Sequence, residues 1–433
     1  MLEKIFRLSA ARTTAGTEAI AGTVTFMTMA YIIFVNPGVL AAAGIPKDAA
    51  MVATCIGAGL ATLLMGLTAN YPFALAPGMG LNAFLAYSIV LGMKLPWQVA
   101  MGVVFVEGLL ITVLVLTNLR ERVMHAIPLN LKRAIGIGIG IFIAFIGMQY
   151  AGIVVRNDAT LVSFGKMTAP VLVSLAGLAF TAFLMVRHVR GAILIGILST
   201  TALAVIFGLS RMPQTIAALP TLSQFATIGA ALTPRFLSQV FSLGLATTVF
   251  AFMMTDFFDT MGSVVAVGGE AGFPDRDGHM PRLKQVLLVD SLAAAMGGAL
   301  GCSSVTTYIE SAAGVGAGGR TGLASVVTAL FFFLAIFFWP LVGVIPAIAT
   351  APALIIVGLL LMNVIRDIDW HDLSEAFPAF LTILTIPLTY SISRGIGMGI
   401  ISHVLLKMLS GKFREIRPIL WLLAVLFVID FSL

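Results

Sequence analysis

Thr306-Thr307-Tyr308-Ile309-Glu310-Ser311-Ala312-Ala313-Gly314 sets an acid inside an apolar stretch, and the glycines that follow, Gly314, Gly316, Gly318 and Gly319, argue against a firm helix. A bare carboxylate at bilayer depth costs on the order of several kcal/mol unless it is protonated, paired or facing water, so a broken helix carrying one reads as a functional site. Ala76-Pro77-Gly78-Met79-Gly80-Leu81-Asn82 is broken in the same manner, and Asn82 precedes Glu310 by 228 residues. The loop Ala43-Gly44-Ile45-Pro46 recurs as Ala271-Gly272-Phe273-Pro274 at the same interval of 228. Two matches at one spacing imply an internal duplication. They predict that Asn82 and Glu310 face each other across a pseudo-two-fold axis.

Of 433 residues, 59% are hydrophobic and 10% charged, and the mean hydropathy is +1.06, which excludes a soluble globular domain. The chain reads as an all-α polytopic membrane protein. Its net charge of +6 is scattered through short loops with no basic stripe interleaved with aromatics, so no nucleic-acid partner is expected. Cys55 and Cys302 sit in apolar segments without metal or disulfide spacing and read as buried packing thiols. The first apolar stretch follows Lys4, Arg7 and Arg12, lacks a small-residue cleavage site, and reads as a retained span.

Apolar runs bounded by charge or by Pro and Gly give fourteen segments, at 16–43, 49–69, 71–92, 96–117, 134–153, 169–186, 191–209, 239–268, 283–302, 304–317, 321–343, 347–365, 376–392 and 395–410. They divide into a first repeat over 1–210, a connecting loop over 211–238, a second repeat over 239–415 and a C-terminal apolar segment over 416–433. With a cytoplasmic N-terminus, eighteen Lys and Arg fall inside and seven outside, the bias that insertion requires. Seven segments per repeat is an odd number, so the repeats are inverted. That architecture holds a transported solute near the midplane between discontinuous helices.

Acids at membrane depth are Glu107, Asp256, Asp259, Asp290 and Glu310, with Glu18 near the inner edge. Asp256 and Asp259, three apart in segment eight, share roughly one helical face. Two such carboxylates do not both ionise easily, which makes either a candidate proton carrier. Glu107 and Asp290 have no second supporting feature and read as interior hydrogen-bonding groups. No Lys or Arg lies near Asp259 and Glu310 in sequence, which disfavours anionic substrates and suits a neutral solute with N–H donors, or a cation. Phe73, Phe84, Phe252, Phe257, Phe258 and Tyr308 offer rings for a planar ligand.

Gly314-Val315-Gly316-Ala317-Gly318-Gly319 fits the dinucleotide pattern but follows no soluble strand, so the match is empty. Gly136, Gly138 and Gly140 read as small-residue helix packing. No metalloprotease, serine-hydrolase or nucleotide-binding signature is present, and no enzyme activity, metal or cofactor is expected.

With these residues in hand, the chain resembles the nucleobase:cation symporter-2 superfamily, in its AzgA-like branch of adenine, guanine and hypoxanthine permeases. The resemblance runs from Gly22-Thr23-Val24-Thr25-Phe26-Met27-Thr28-Met29-Ala30-Tyr31 onward. Ala76-Pro77-Gly78-Met79-Gly80-Leu81-Asn82-Ala83-Phe84, Phe258-Asp259-Thr260-Met261-Gly262, Tyr308-Ile309-Glu310-Ser311-Ala312-Ala313-Gly314 and Ala349-Thr350-Ala351-Pro352-Ala353-Leu354 carry it. It implies fourteen helices in two inverted seven-helix repeats, divided into core and gate domains, with short strands in segments three and ten. By the same resemblance the substrate lies among segments one, three, eight and ten, with Asp259, Glu310 and Asn82 as its contacts; Tyr308, Phe258 and Ser311, beside these acids in the sequence, are the further candidate contacts. Glu310, Asp259 and Asp256 are the candidates for proton coupling. The Gln-Asn-x-Gly signature of the xanthine and uric acid branch is replaced by Glu310-Ser311-Ala312-Ala313-Gly314. The expected function is proton-coupled purine uptake across the cytoplasmic membrane. Its rivals are an anion exchanger of the same fold, a passive channel and a membrane enzyme. The expected partners are a purine base, a proton and membrane lipid, with room for a homodimer.

Overall fold

Proline marks where several spans begin. Pro46, Pro96, Pro128 and Pro346 directly precede the helices Lys47–Thr68, Trp97–Leu116, Leu129–Tyr150 and Ala347–Leu361. At that position no intrahelical N–H is needed, so proline costs the helix nothing. The computed structural model describes residues 2–117, 127–213, 215–241, 243–273 and 280–432, with the side chains at 243, 244, 258 and 430 outside that set. Pro274 and the loop cations Arg120, Arg122 and Arg276 also fall outside it. Among the described residues, ten helices are long and apolar enough to cross a membrane, and shorter apolar helices cover Met79–Gly92, Ala192–Ile206, Leu373–Thr389 and Pro418–Ile429.

Segments three and ten break as their sequences require. Each opens with a three-residue strand, β1 (Leu75–Pro77) and, far along the chain, β4 (Val305–Thr307), and continues into a short helix, Met79–Ala83 or Ser311–Gly316. The strands pair antiparallel with Leu75 opposite Thr307, Ala76 opposite Thr306 and Pro77 opposite Val305. Their backbone groups satisfy one another inside protein, the condition for non-helical chain at this depth. Pro77 and Val305 differ by the interval of 228 already seen in the sequence. A residue paired with its own repeat-mate lies on the pseudo-two-fold axis.

Helix packing follows the same symmetry. Segment two packs along eleven as nine packs along four; thirteen packs on five and fourteen as six packs on twelve and seven; five and twelve cross each other. Exchanging each segment with the one seven places on maps these contacts onto themselves, which is what an inverted repeat requires. Segments one to four with eight to eleven form the core domain, and five to seven with twelve to fourteen form the gate. Close crossings rest on glycine: a Cβ on Gly358 would lie 2.9 Å from Ala144 N and strike the Gly140 carbonyl, and one on Gly298 would lie 2.5 Å from Phe105 N. Gly138 faces Ile383 and Ile386, but a Cβ on Gly136 meets nothing within 4 Å, so that glycine is not a packing position.

Three expectations need correcting. The connection between segments five and six holds an exposed hairpin, β2 (Val154–Asn157) with β3 (Leu161–Phe164), where Val154, Val155, Val162 and Phe164 favour the strand and Asn157 Oδ1 accepts from Ala159 N–H to set the turn. The connecting stretch 211–238 carries 3-10 turns at Leu222–Phe225 and Ala230–Leu232 and the start of a short helix, Pro234–Val240. The glycines after Glu310 do support a helical turn and a half, Ser311–Gly316.

At the end of segment fourteen, Lys407 is only 5% exposed and its Nζ donates to Glu415 Oε2 at 2.8 Å and lies 3.2 Å from Glu375 Oε1. The bond from Lys407 holds the Glu415 carboxyl below its ordinary value of 4.5. A lowered folded-state value stabilises the fold above the ordinary value, and the contribution is lost as pH falls through the lowered one. Glu415→Gln should therefore lower the thermal midpoint of the detergent-solubilised protein at neutral pH. The deficit should vanish in acid. An equal deficit at both pH values would contradict this.

Candidate functional site

Four elements meet at the strand pair: the break in segment one, the helix after β1, the middle of segment eight and the residues after β4. Segment one is helical over Ala15–Met29 and again over Ile32–Ala42, and Tyr31 lies in the break. The Tyr31 hydroxyl donates to Glu310 Oε1 at 2.7 Å, and the Thr28 hydroxyl reaches the Glu310 carbonyl at 3.4 Å. Across the pair, Thr306 Oγ1 donates to Asp259 Oδ2 at 3.0 Å. Asp259 and Glu310 are both partly exposed, whereas nearly all of their neighbours on the strands are buried. Among the described residues neither carboxylate has a Lys, Arg or His within ion-pair distance.

The Pro77 carbonyl is a shared acceptor. Tyr308 OH donates to it at 2.6 Å and Asn82 Nδ2 at 3.3 Å, and among the described residues Asn82 Oδ1 is buried without a partner. A buried amide oxygen without a donor is costly, so it marks a place where a ligand N–H would be welcome. The Ser311 hydroxyl accepts from Ala74 N–H at 2.9 Å, fastening the segment-ten helix to the approach to β1. Gly78 sits where a Cβ would come within 3.1 Å of Thr306 Oγ1 and 3.2 Å of Asp259 Oδ2. The gate reaches the same spot, since a Cβ on Gly80 would lie 2.6 Å from Ile139 Cγ2.

Tyr31 carries no charge to mark it as a site residue, but it precedes Asp259 by 228 residues, the interval that separates Asn82 from Glu310. The site is thus two symmetry-related pairs, Tyr31 with Asp259 and Asn82 with Glu310. Thr306, which holds Asp259, has no such signal. Asp256 and Asp259 do share a face: one accepts from Ser304 at 2.6 Å and the other from Thr306. Phe258 lies outside the described side chains. Phe73 stacks on Tyr71 in a separate cluster, and Phe84 stacks on Phe252 with centroids 5.2 Å apart.

Other predicted groups do structural work. Glu18 is fully buried and accepts from the backbone N–H of Arg320 at 2.8 Å and of Thr321 at 3.2 Å, capping the start of segment eleven. Cys55 and Cys302 are buried free thiols. A cavity of about 280 Å³ lies between core and gate, lined by Phe34, Gly38, Lys47, Tyr150 and Val342 among others, and contains none of the acids.

A family model described as "Permease family" matches residues 16–398. Adenine permease AdeP of Escherichia coli K12 is 42% identical, over 99% of this chain and 95% of its own length. Guanine/hypoxanthine permease PbuO of Bacillus subtilis is 43% identical, over 98% of this chain and 99% of its own. Among solved structures, the transmembrane domain of the cyanobacterial bicarbonate transporter BicA superposes with a TM-score of 0.63 at 15% identity, covering 89% of this chain and 97% of that one. The murine anion transporter Slc26a9 in its inward-facing state also gives 0.63, at 11% identity, covering 91% of this chain and 68% of that one. Those two likenesses establish the inverted-repeat fold. The chain belongs to the permease family, within the nucleobase:cation symporter-2 group, and is a membrane transporter, not an enzyme.

Proposed function

We propose that the chain is a proton-coupled purine nucleobase importer of the cytoplasmic membrane, working by alternating access of the core past the gate. The observation that carries this reading is the pair of partly exposed carboxylates, Asp259 and Glu310, held by hydroxyls with no described cation beside them. Acceptor-only groups suit the N–H edges of a purine. Asn82 Oδ1 adds a third acceptor, backbone amides at the two helix breaks supply donors for a carbonyl or ring nitrogen, and Tyr308, Phe258 and Ser311 line the base. That relatives of nearly full-length coverage are adenine and guanine/hypoxanthine permeases supports the same substrate class. Glu310, Asp259 or Asp256 takes the coupled proton. In the membrane we place fourteen crossings, repeats over 1–210 and 239–415, and the N-terminus in the cytoplasm, on the eighteen-to-seven bias of basic residues.

An anion exchanger on this fold is the second reading, favoured by the likeness to a bicarbonate transporter. It calls for a positive group at the site, where acids stand instead. Uptake of labelled hypoxanthine, challenged with excess adenine, guanine, hypoxanthine, xanthine and uracil, separates the two. Purines should compete, uracil should not, and a protonophore should collapse accumulation. Uptake of sulfate or bicarbonate with no purine uptake would overturn the proposal.

A further inference from the structure

Beside the strand pair, three carboxylates from different segments are joined into one chain. Glu107 of segment four is 0% exposed. Ser304 Oγ lies 3.3 Å from Glu107 Oε1 and 2.6 Å from Asp256 Oδ2. Thr260 Oγ1 lies 3.3 Å from Asp256 Oδ1 and 2.6 Å from Asp290 Oδ2. Asp290 Oδ1 in turn accepts from Thr307 N–H at 2.9 Å and from its hydroxyl at 2.8 Å. Among the described residues, the other oxygen of Glu107, Oε2, is buried and meets no hydrogen-bond donor.

Each hydroxyl in this chain has one proton to give. The Ser304 proton goes to Asp256, the nearer oxygen, which leaves Glu107 Oε1 opposite a serine lone pair. That contact is a bond only when the Glu107 carboxyl carries a proton and donates it. As bare carboxylates Glu107 and Asp256, which lie close enough to hydrogen-bond to each other only when one of them carries a proton, would set acceptor against acceptor out of reach of water, an arrangement that buried charge does not tolerate. The titratable groups facing it, Asp256 from segment eight and Asp290 from segment nine, are acids themselves. Neither Glu107 nor Asp256 has an ion pair with a described Lys, Arg or His.

Resting on the transport reading above, we infer that Glu107 and Asp256, joined through Ser304, are where the coupled proton resides, apart from the substrate-facing Asp259 and Glu310. Alternating carboxyl and hydroxyl oxygens can pass a proton along, each step breaking one O–H bond and forming the next, so that every hydroxyl ends with the proton count it began with. The link to substrate is short. Ser304 and Thr307 flank Thr306, which holds Asp259, and Asp256 lies one helical turn before Asp259. Proton and substrate therefore favour each other's binding, and the coupling is reciprocal.

The test is binding of labelled hypoxanthine to the purified full-length protein across roughly pH 5 to 9. Wild-type affinity should weaken by about tenfold or more as pH rises, within the range of coupling energies between linked sites. Glu107→Gln, a mimic of the protonated acid, should hold the low-pH affinity throughout, and Glu107→Asp should restore the pH dependence. Should Glu107→Gln fail to accumulate, Asp256→Asn puts the same question to the other half of the pair. A wild-type pH profile in the neutral variant overturns the inference. A wild-type protein whose binding ignores pH and whose uptake ignores a protonophore overturns proton coupling itself.

Discussion

Glu310→Gln should abolish uphill uptake of labelled purine while leaving the protein in the membrane in normal amount. The substitution keeps an oxygen that can go on accepting from the Tyr31 hydroxyl, now at 2.7 Å from Oε1. What changes is the second position, where an acceptor becomes an NH₂ that faces the N–H of the base donor to donor. Hydrogen bonds to charged groups contribute about 1.5–3 kcal/mol, which corresponds to a loss of affinity of roughly tenfold to more than a hundredfold. Tyr31→Phe should do less, because the carboxylate keeps its charge and loses one donor. The measurement is accumulation and apparent affinity in cells, normalised to the amount of protein in the membrane. Undiminished accumulation by the glutamine variant would remove Glu310 from the site.

What the residues announce in advance, and what they do not, divides along local and long-range lines. The interval of 228 is a property of the chain, and it reappears as the pairing of Pro77 with Val305 and as the equivalence of Tyr31 with Asp259. The helix break at Pro77 is also local, since it follows from proline and glycine chemistry. The carboxylate chain beside β4 is different. Glu107 and Asp290 are lone acids on separate apolar helices, and nothing within either helix says that Ser304, Thr260 and Thr307 will converge on them. Such convergence is decided by how segments four, eight, nine and ten close on one another. Ser311 is a further long-range case: nothing near it in sequence says that its hydroxyl accepts from Ala74 N–H, just before β1 and more than two hundred residues away.

Gly314→Val should cut purine uptake at least about tenfold, and the reason corrects the first impression its sequence gives. The glycines after Glu310 look like places where a helix fails, but Ser311–Gly316 is helical and Gly314 lies in its last turn. Its lack of a side chain serves contact. A Cβ there would lie 2.7 Å from the Ala21 carbonyl and overlap the Thr25 hydroxyl, so the segment-ten helix rests directly on the first half of segment one. Gly319 makes a similar approach, with a Cβ 2.9 Å from Ala21 Cβ. These two elements carry Glu310 and Tyr31, and any shift between them opens the 2.7 Å bond that orients the carboxylate. Overpacking of this kind costs about 1–3 kcal/mol, and about 1.4 kcal/mol is a factor of ten. Gly136→Ala is the matched comparison, since nothing lies within 4 Å of a Cβ at that position, and its uptake should stay within about twofold of wild type, as for a change that alters no packing. Initial rates scaled to membrane protein decide it. Wild-type rates in Gly314→Val would show that the contact between segments one and ten does not position the site.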